Sequence, residues 1–336
     1  MVVIRIEPLD LYGAGTWDSI VAESSNGTIF HCTDWLELSR ELDLPFSGIP
    51  GVNLSRKMIV MTADGEPAGI IAGIECNILG LKALISPARG TFTPYGGLVV
   101  RDQQMAGIPD LPGLFTKSLL TQYRIVVSTE PPITPAKESS KHYIVKRTYV
   151  LDLTIPVETL RSRFERQRLR NIKRAEKSGV SIFEGSNESQ IESYYDMWKE
   201  TATRKSIGRL LPLSCYIDIF RRLGTDRAKL LLALHRDELV AGAILLNDNK
   251  RLYCWGAANT QTGLAVGASS LIQWKAILLG KEMGFREYDL VGGNIRSLCT
   301  FKASFGGARR SYYEYVMTRP GLVGSLARKS IQLVGL

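Results

Sequence analysis

Two stretches of the chain place apolar and polar residues in the same order. Val60–Gly73 (VMTADGEPAGIIAG) leads from apolar residues to Asp64, and shortly afterwards Ala-Gly opens a second apolar run. Ala233–Leu246 (ALHRDELVAGAILL) does the same around Asp237. Apolar runs divided by an acidic turn predict β-hairpins. After each hairpin comes an aromatic segment, Pro94–Leu98 or Tyr253–Ala257, then a helical pattern and a further apolar strand, Ile125–Ser128 or Tyr288–Val291. The shared order predicts a duplicated α/β unit, with a spacing too long for a solenoid repeat.

The second half is the more regular. Tyr143–Leu153 reads as a strand, and a single basic helix is expected from Pro156 to Ser178, closed by Gly179. Val180–Phe183 reads as a strand, and Ser189–Arg204 as a helix carrying Ile191, Tyr194, Tyr195 and Trp198. A hairpin of Lys229–Leu234 and Val240–Leu246 follows, then strand Arg251–Gly256, a helix from Gly267 to Met283, and strands Glu287–Val291 and Ser311–Thr318. The segment before Asp152 reads as short strands and loops, with Ser128–Ser140 as a Pro- and Ser-rich linker. The expected domains are 1–152 and 153–320, followed by a tail, 321–336. That tail reads either as an amphipathic helix touching a membrane or as a segment docked on the protein's own core.

Composition narrows the classes. The chain has 336 residues, 45% hydrophobic and 22% charged, which excludes a disordered or fibrous protein and suits two domains. Five scattered cysteines without a C-x-x-C pair read as buried apolar groups in a reducing compartment, and three scattered histidines offer no metal-ligand spacing. The N-terminus lacks a signal-peptide layout, and uncharged Leu252–Trp274 holds too many polar residues and glycines to span a membrane. A cytoplasmic protein is expected, with peripheral membrane contact as an option.

Charge changes the picture more. Forty-two Lys and Arg against 33 Asp and Glu give a net +9. Between Pro156 and Lys177, Arg161, Arg163, Arg166, Arg168, Arg170, Lys173, Arg174 and Lys177 face only Glu158, Glu165 and Glu176, a net +5 in one stretch. Phe164, Leu169 and Ile172 fall on another side and can pack. Such a helix is either a solvated basic face or an anion-binding strip for a nucleic acid, a lipid headgroup or a cofactor phosphate. Arg166, Arg170, Lys173 and Arg174 are the candidate phosphate contacts.

Two further motifs carry candidate chemistry. Gly267-Ala268-Ser269-Ser270 opens a helix whose first backbone N–H groups and dipole suit a phosphate, or else lets that helix pack closely on a sheet. Near the C-terminus, Gly292-Gly293 follows a strand, and Lys302 sits between Phe301 and Phe305. Lys302 is either a partly desolvated cation able to stabilise an oxyanion or a lysine snorkelling along an apolar strand edge.

Together these stretches resemble the Fem-type aminoacyltransferases within the GNAT superfamily. Arg168–Val180 is similar to their basic helix, and Leu271–Ile277 with Tyr288–Gly293 to their helix-then-strand signature. Phe301-Lys-Ala-Ser-Phe-Gly-Gly is similar to their closing F-K-x-x-F-G motif. Weaker likeness extends to Phe30–Leu36 and Thr93–Leu98. The resemblance implies an α/β (α+β) fold of two tandem GNAT-like domains, each a mixed, mostly antiparallel sheet flanked by helices. It implies transfer of an aminoacyl group from aminoacyl-tRNA, or of an acyl group from acyl-CoA, to an amine-bearing acceptor, with no bound cofactor and no metal. Lys302 matches the family's active-site lysine, and Phe301 would fix it. Tyr253 and Asp289 are general-base candidates that can equally be structural. Gly267–Ser270 would meet the donor. Leu264 and Ser269 depart from the R/Q-x-x-G-x-G/A pattern of coenzyme A binders, and no coiled-coil arm is present.

Overall fold

Both hairpins close on two-residue turns with left-handed backbone, Asp64-Gly65 in one and Arg236-Asp237 in the other. Turns of this hand match the twist of paired strands. The computed structural model describes residues 4–39, 52–78, 80–87, 92–102, 122–127, 142–208, 210–292 and 296–318. The linker-like 128–140, Gly293 and the tail 321–336 lie outside them. The chain divides into two compact units, Met1–Lys146 with Ser311–Leu336, and Arg147–Arg310. The division falls slightly before the expected one, and 311–318 goes with the first unit rather than the second.

The first unit begins with β1 (Ile4–Pro8), α1 (Gly13–Glu23) and α2 (Thr33–Leu38). It continues through β2 (Val52–Ala63), β3 (Glu66–Ile78), β4 (Leu81–Ser86), β5 (Gly97–Val100) and β6 (Gln122–Val127). The two helices correct the expectation of strands and loops alone. Trp17, Ile20 and Val21, spaced for one helix face, bury α1 against Val60, Ile70 and Val99. β1, β2, β3 and β4 pair antiparallel in order, and β6 then joins β4 in parallel. β5 pairs with β3 beside β4.

The second unit takes in most of β7 (His142–Asp152), then α3 (Val157–Ser162), α4 (Arg166–Lys177), β8 (Ser181–Gly185), α5 (Glu188–Arg204), α6 (Leu213–Arg227), β9 (Ala228–His235) and β10 (Glu238–Asn247). It continues with β11 (Arg251–Asn259), α7 (Gln261–Val266), α8 (Ala268–Glu282), β12 (Glu287–Asp289) and α9 (Arg296–Ala303). The strand order is β7-β12-β11-β10-β9-β8, antiparallel except for the parallel pair β11 and β12. The last described strand, β13 (Ala308–Thr318), pairs antiparallel with β6 in the first unit.

The expected single basic helix is two. The chain leaves the helix at Arg163, where Phe164 turns into the core against Trp274 and Phe305 and the Glu165 N–H donates to the Ser304 carbonyl at 2.9 Å. Helix α5 is capped reciprocally by Asn187 and Gln190 and buries Ile191, Tyr194, Met197 and Thr201. Glycines at 242 and 256 admit Tyr194 to the sheet, since a Cβ at either would lie 2.7 Å from its ring or hydroxyl. The core between sheet and α8 collects Leu151, Ile172, Leu245, Leu271, Trp274, Tyr288 and Phe305.

Candidate active site

The parallel pair β11/β12 lasts for three rungs, Arg251 with Glu287, Leu252 with Tyr288 and Tyr253 with Asp289. β12 stops there while β11 runs on to Asn259, paired among the described strands with β10. The carboxyl end of such a pair is the usual place for a ligand in α/β sheets. Here the chain bends through Val291 (φ 45°) and Gly292 (φ 67°). A β-branched residue in the left-handed region is strained, and it persists only when its surroundings hold it. Asp289, buried, does so: its Oδ1 accepts the Val291 N–H at 2.8 Å and the Thr148 hydroxyl at 2.5 Å.

The bend aims two carbonyls at Lys302, in the last turn of α9. The Lys302 ammonium donates to Val291 O, and to Gly292 O at 2.7 Å. Burial lowers its pKa; Cys254, Asp289 and Cys299 partly offset that, while the nearby Lys205 adds to it. A desolvated cation with a third N–H beyond these two bonds can polarise a carbonyl or hold an oxyanion. Lys302 lies on a helix held by a carbonyl cradle, which corrects the strand-edge reading.

Phe301 does something other than flank Lys302. The Arg168 guanidinium stacks over its ring at 4.6 Å and over Phe305 at 5.4 Å. Arg168 also donates to Ser304 Oγ at 2.9 Å and Ser270 Oγ at 2.7 Å. It therefore fastens the first turn of α8 to the end of α9. Burial lowers its pKa, but a guanidinium stays charged. In the sequence Arg168 is one of the eight cations of the basic run and was not singled out as a contact. The missed signal is its phase, since Arg168, Ile172 and Ala175 share one helix face and both apolar members are buried.

Of the expected donor turn, Gly267 and Ala268 are buried and Ser270 is taken by Arg168. A Cβ at Gly267 would meet the Asn171 carbonyl of α4 at 2.4 Å, so close packing explains this glycine. The Ser269 hydroxyl is enclosed without a hydrogen-bond partner. Arg166, Arg170, Lys173 and Arg174 are all exposed on α4. With Lys177, the first three stand at helical spacing on one outward stripe that contains no acid. Arg174 donates along its own helix to Asn171 Oδ1 at 3.1 Å.

Tyr253 is removed from the base candidates. Its hydroxyl donates to Asp248 Oδ2 at 2.6 Å, and burial, then Asp248, pushes its pKa far up. Asp289 is likewise committed to positioning the bend. Beside the open end, Arg204 at the close of α5 grips Asn259 through its carbonyl (2.8 Å) and side chain (2.6 Å), fixing the tip of β11. Neither Arg204 nor Lys205 was singled out from the sequence, since two cations at a helix end look like ordinary dipole partners.

No helix among the described residues is long and apolar enough to cross a membrane. No curated protein matches the sequence. Residues 162–302 match the model of the acetyltransferase (GNAT) domain family. Among solved structures, the chain resembles FemX at 15% identity and TM-score 0.67, covering 99% of this chain and 100% of that one. L-PGS from Bacillus licheniformis matches at 10% identity and TM-score 0.55, covering 96% and 98%. A tandem GNAT protein from the clavulanic acid biosynthesis pathway matches at 12% identity and TM-score 0.51, covering 96% and 100%. Residues 162–302 thus match the GNAT domain family, and the fold over nearly the whole chain is like that of FemX and of the tandem GNAT protein.

Proposed function

We propose that the protein is an N-acyltransferase that moves an aminoacyl group from aminoacyl-tRNA to an amine of a peptide, a peptidoglycan precursor or a small molecule. The observation that carries the reading is the cradled Lys302 at the open end of β11/β12. The acceptor nitrogen attacks the donor ester carbonyl, and its oxygen takes up negative charge that the Lys302 ammonium stabilises. The C–O bond then breaks and an amide forms. The proton released by the amine passes to the departing ribose hydroxyl. Phe301, through Arg168, keeps α9 and so Lys302 in register, and the α4 stripe supports the donor's phosphates.

Acyl-CoA is the second donor reading, supported by the enclosed Ser269 hydroxyl in the first turn of α8. Against it stand the Asn171 carbonyl and the Arg168–Ser270 bond, which occupy the side of that turn facing α4.

The test is amide formation from charged tRNA and, separately, from a coenzyme A panel, with a set of amine acceptors. Transfer from charged tRNA should fall roughly a hundred- to a thousandfold in Lys302→Ala, by analogy with loss of one oxyanion donor. Transfer from coenzyme A esters alone would replace the donor assignment, and undiminished turnover in Lys302→Ala would remove the mechanism.

A further inference from the structure

Strand β11 is buried from Leu252 to Cys254 and again at Ala258 and Asn259, but Trp255 and Gly256 are half-buried and Ala257 is exposed. The opening begins where β12 ends, since Tyr253 is the last residue of β11 paired with it. On the other side, the consecutive residues Ile244 and Leu245 of β10 pair with Gly256 and Cys254. Trp255 is therefore the extra residue of a β-bulge, opposite no residue of either neighbour among the described strands. Bulges recur beside active sites because the extra residue lets a strand re-aim a side chain.

Here the side chain is an indole turned toward α6. Its ring lies 5.7 Å from that of Tyr216 at 59°, and Tyr216 packs in turn on Tyr195 at 5.2 Å and Tyr194 at 6.3 Å. The Tyr195 hydroxyl donates to the Leu211 carbonyl ahead of α6 at 3.0 Å. Packing alone buries Tyr194, Tyr216 and Tyr253, whereas Trp255 keeps open surface. An indole backed by locked rings offers apolar area to a ligand at little ordering cost.

We infer that Trp255 is a specificity-determining residue that meets the acceptor and selects amines carried on an uncharged, apolar stem, an inference that rests on the acyl-transfer reading. The faces of the sheet separate the two substrates. Leu245 and Cys254 lie in the core with Leu271 and Trp274 of α8, and α4, whose stripe is assigned to the donor's phosphates, packs on α8. Gly242 and Gly256 instead face Tyr194 of α5, and Trp255 packs on α6 beside it. Lys302 has Cys254 of the α8 face and Lys205 at the end of α5 as neighbours, so its ammonium stands at the seam of the two faces. A donor carbonyl on the α8 side then meets an amine on the side of Trp255. Of the charged groups acting on Lys302, Asp289 is spent on the bend and Lys205 is a cation, so a positively charged stem finds no partner.

The experiment pairs phenethylamine with ethanolamine, two amines of similar basicity whose stems differ in apolar surface. With charged tRNA as donor, the native chain should favour phenethylamine at least about tenfold in kcat/KM. Trp255→Ala should bring that ratio to about one through the KM for phenethylamine, and Trp255→Phe should recover most of it. Without donor, the Trp255 indole N–H signal, assigned in NMR spectra by its loss in Trp255→Phe, should move saturably with phenethylamine and stay in place with ethanolamine. If Trp255→Ala unfolds, this titration of the native chain decides. An unmoved indole, a ratio that Trp255→Ala leaves intact, or a rise in the KM for charged tRNA in its place would each overturn the assignment. A moving indole with no amide formed from either amine would support the contact and remove the acyl-transfer reading.

Discussion

At the end of β4 and β6 the first unit has the packed rings of Phe30 and Tyr95; at the end of β11 and β12 the second has Lys302, Asp289 and Lys205. The surrounding scaffold is similar: a hairpin on a left-handed turn, a strand antiparallel to it, and one parallel partner. The difference lies in what each does with backbone strain and burial. The second unit holds Val291 in a strained conformation to aim carbonyls at a cation, whereas the first buries Phe30 and Tyr95 edge to face. One scaffold carries a cradled cation or a wall of packed rings according to the few side chains at this position.

That contrast can be broken most forcefully at Asp289. If the ionisable end depends on the bend, Asp289→Ala should lower the transfer rate roughly ten- to a hundredfold by releasing Val291, an indirect loss smaller than that of Lys302 itself. A drop in kcat with KM held would mark it as a positioning residue, and an unchanged kcat would separate the bend from the chemistry. Next comes Arg168, the buried cation that ties α8 to α9. Arg168→Met should destabilise the fold by about 2–3 kcal/mol in denaturant titration, and Arg168→Lys should recover only part because an ammonium cannot both stack and fork.

The second unit should also respond to acid through Glu287. Burial pushes this carboxyl up, but hydrogen bonds from Arg310 and Arg251 outweigh it and hold it at about 2. A pKa lowered on folding stabilises the native state above the unfolded value near 4.5, and that stabilisation is lost as pH falls toward 2. Glu287→Gln should therefore cost about 1–2 kcal/mol at pH 7 and almost nothing at pH 2, as thermal melts at the two pH values would show. The smallest effect belongs to the exposed stripe. Arg170→Gln should weaken tRNA binding a few-fold at low salt and flatten its salt dependence by about one phosphate contact, leaving the melting temperature alone.

Much of the frame is legible in the sequence because hairpins and strands are local patterns. The Asp64 and Asp237 turns, the run to Arg204 and the helix after Gly267 each announce themselves within a dozen residues. Helix α1 was hidden by Gly13 and Gly15 in its first turn, and α6 by a sequence that ends across a kink at Gly224. The site was legible by residue and less so by role. Lys302 stood out through its aromatic neighbours, yet those rings serve Arg168, and its real partners are carbonyls that no side-chain pattern encodes. The break in the basic helix had the same cause, since Phe164 turns inward for partners more than a hundred positions away.

The pairing of β13 with β6 has a consequence for the order in which the protein is made. β6 is synthesised before the second unit, but its neighbour on that side emerges only after the whole of it. The second unit is continuous in sequence and can close its sheet as it leaves the ribosome, while in the first β6 waits for β13 until the whole second unit has been made. The β6–β13 pairing is therefore the long-range step in completing the first unit's sheet, since the whole second unit lies between these two strands in sequence.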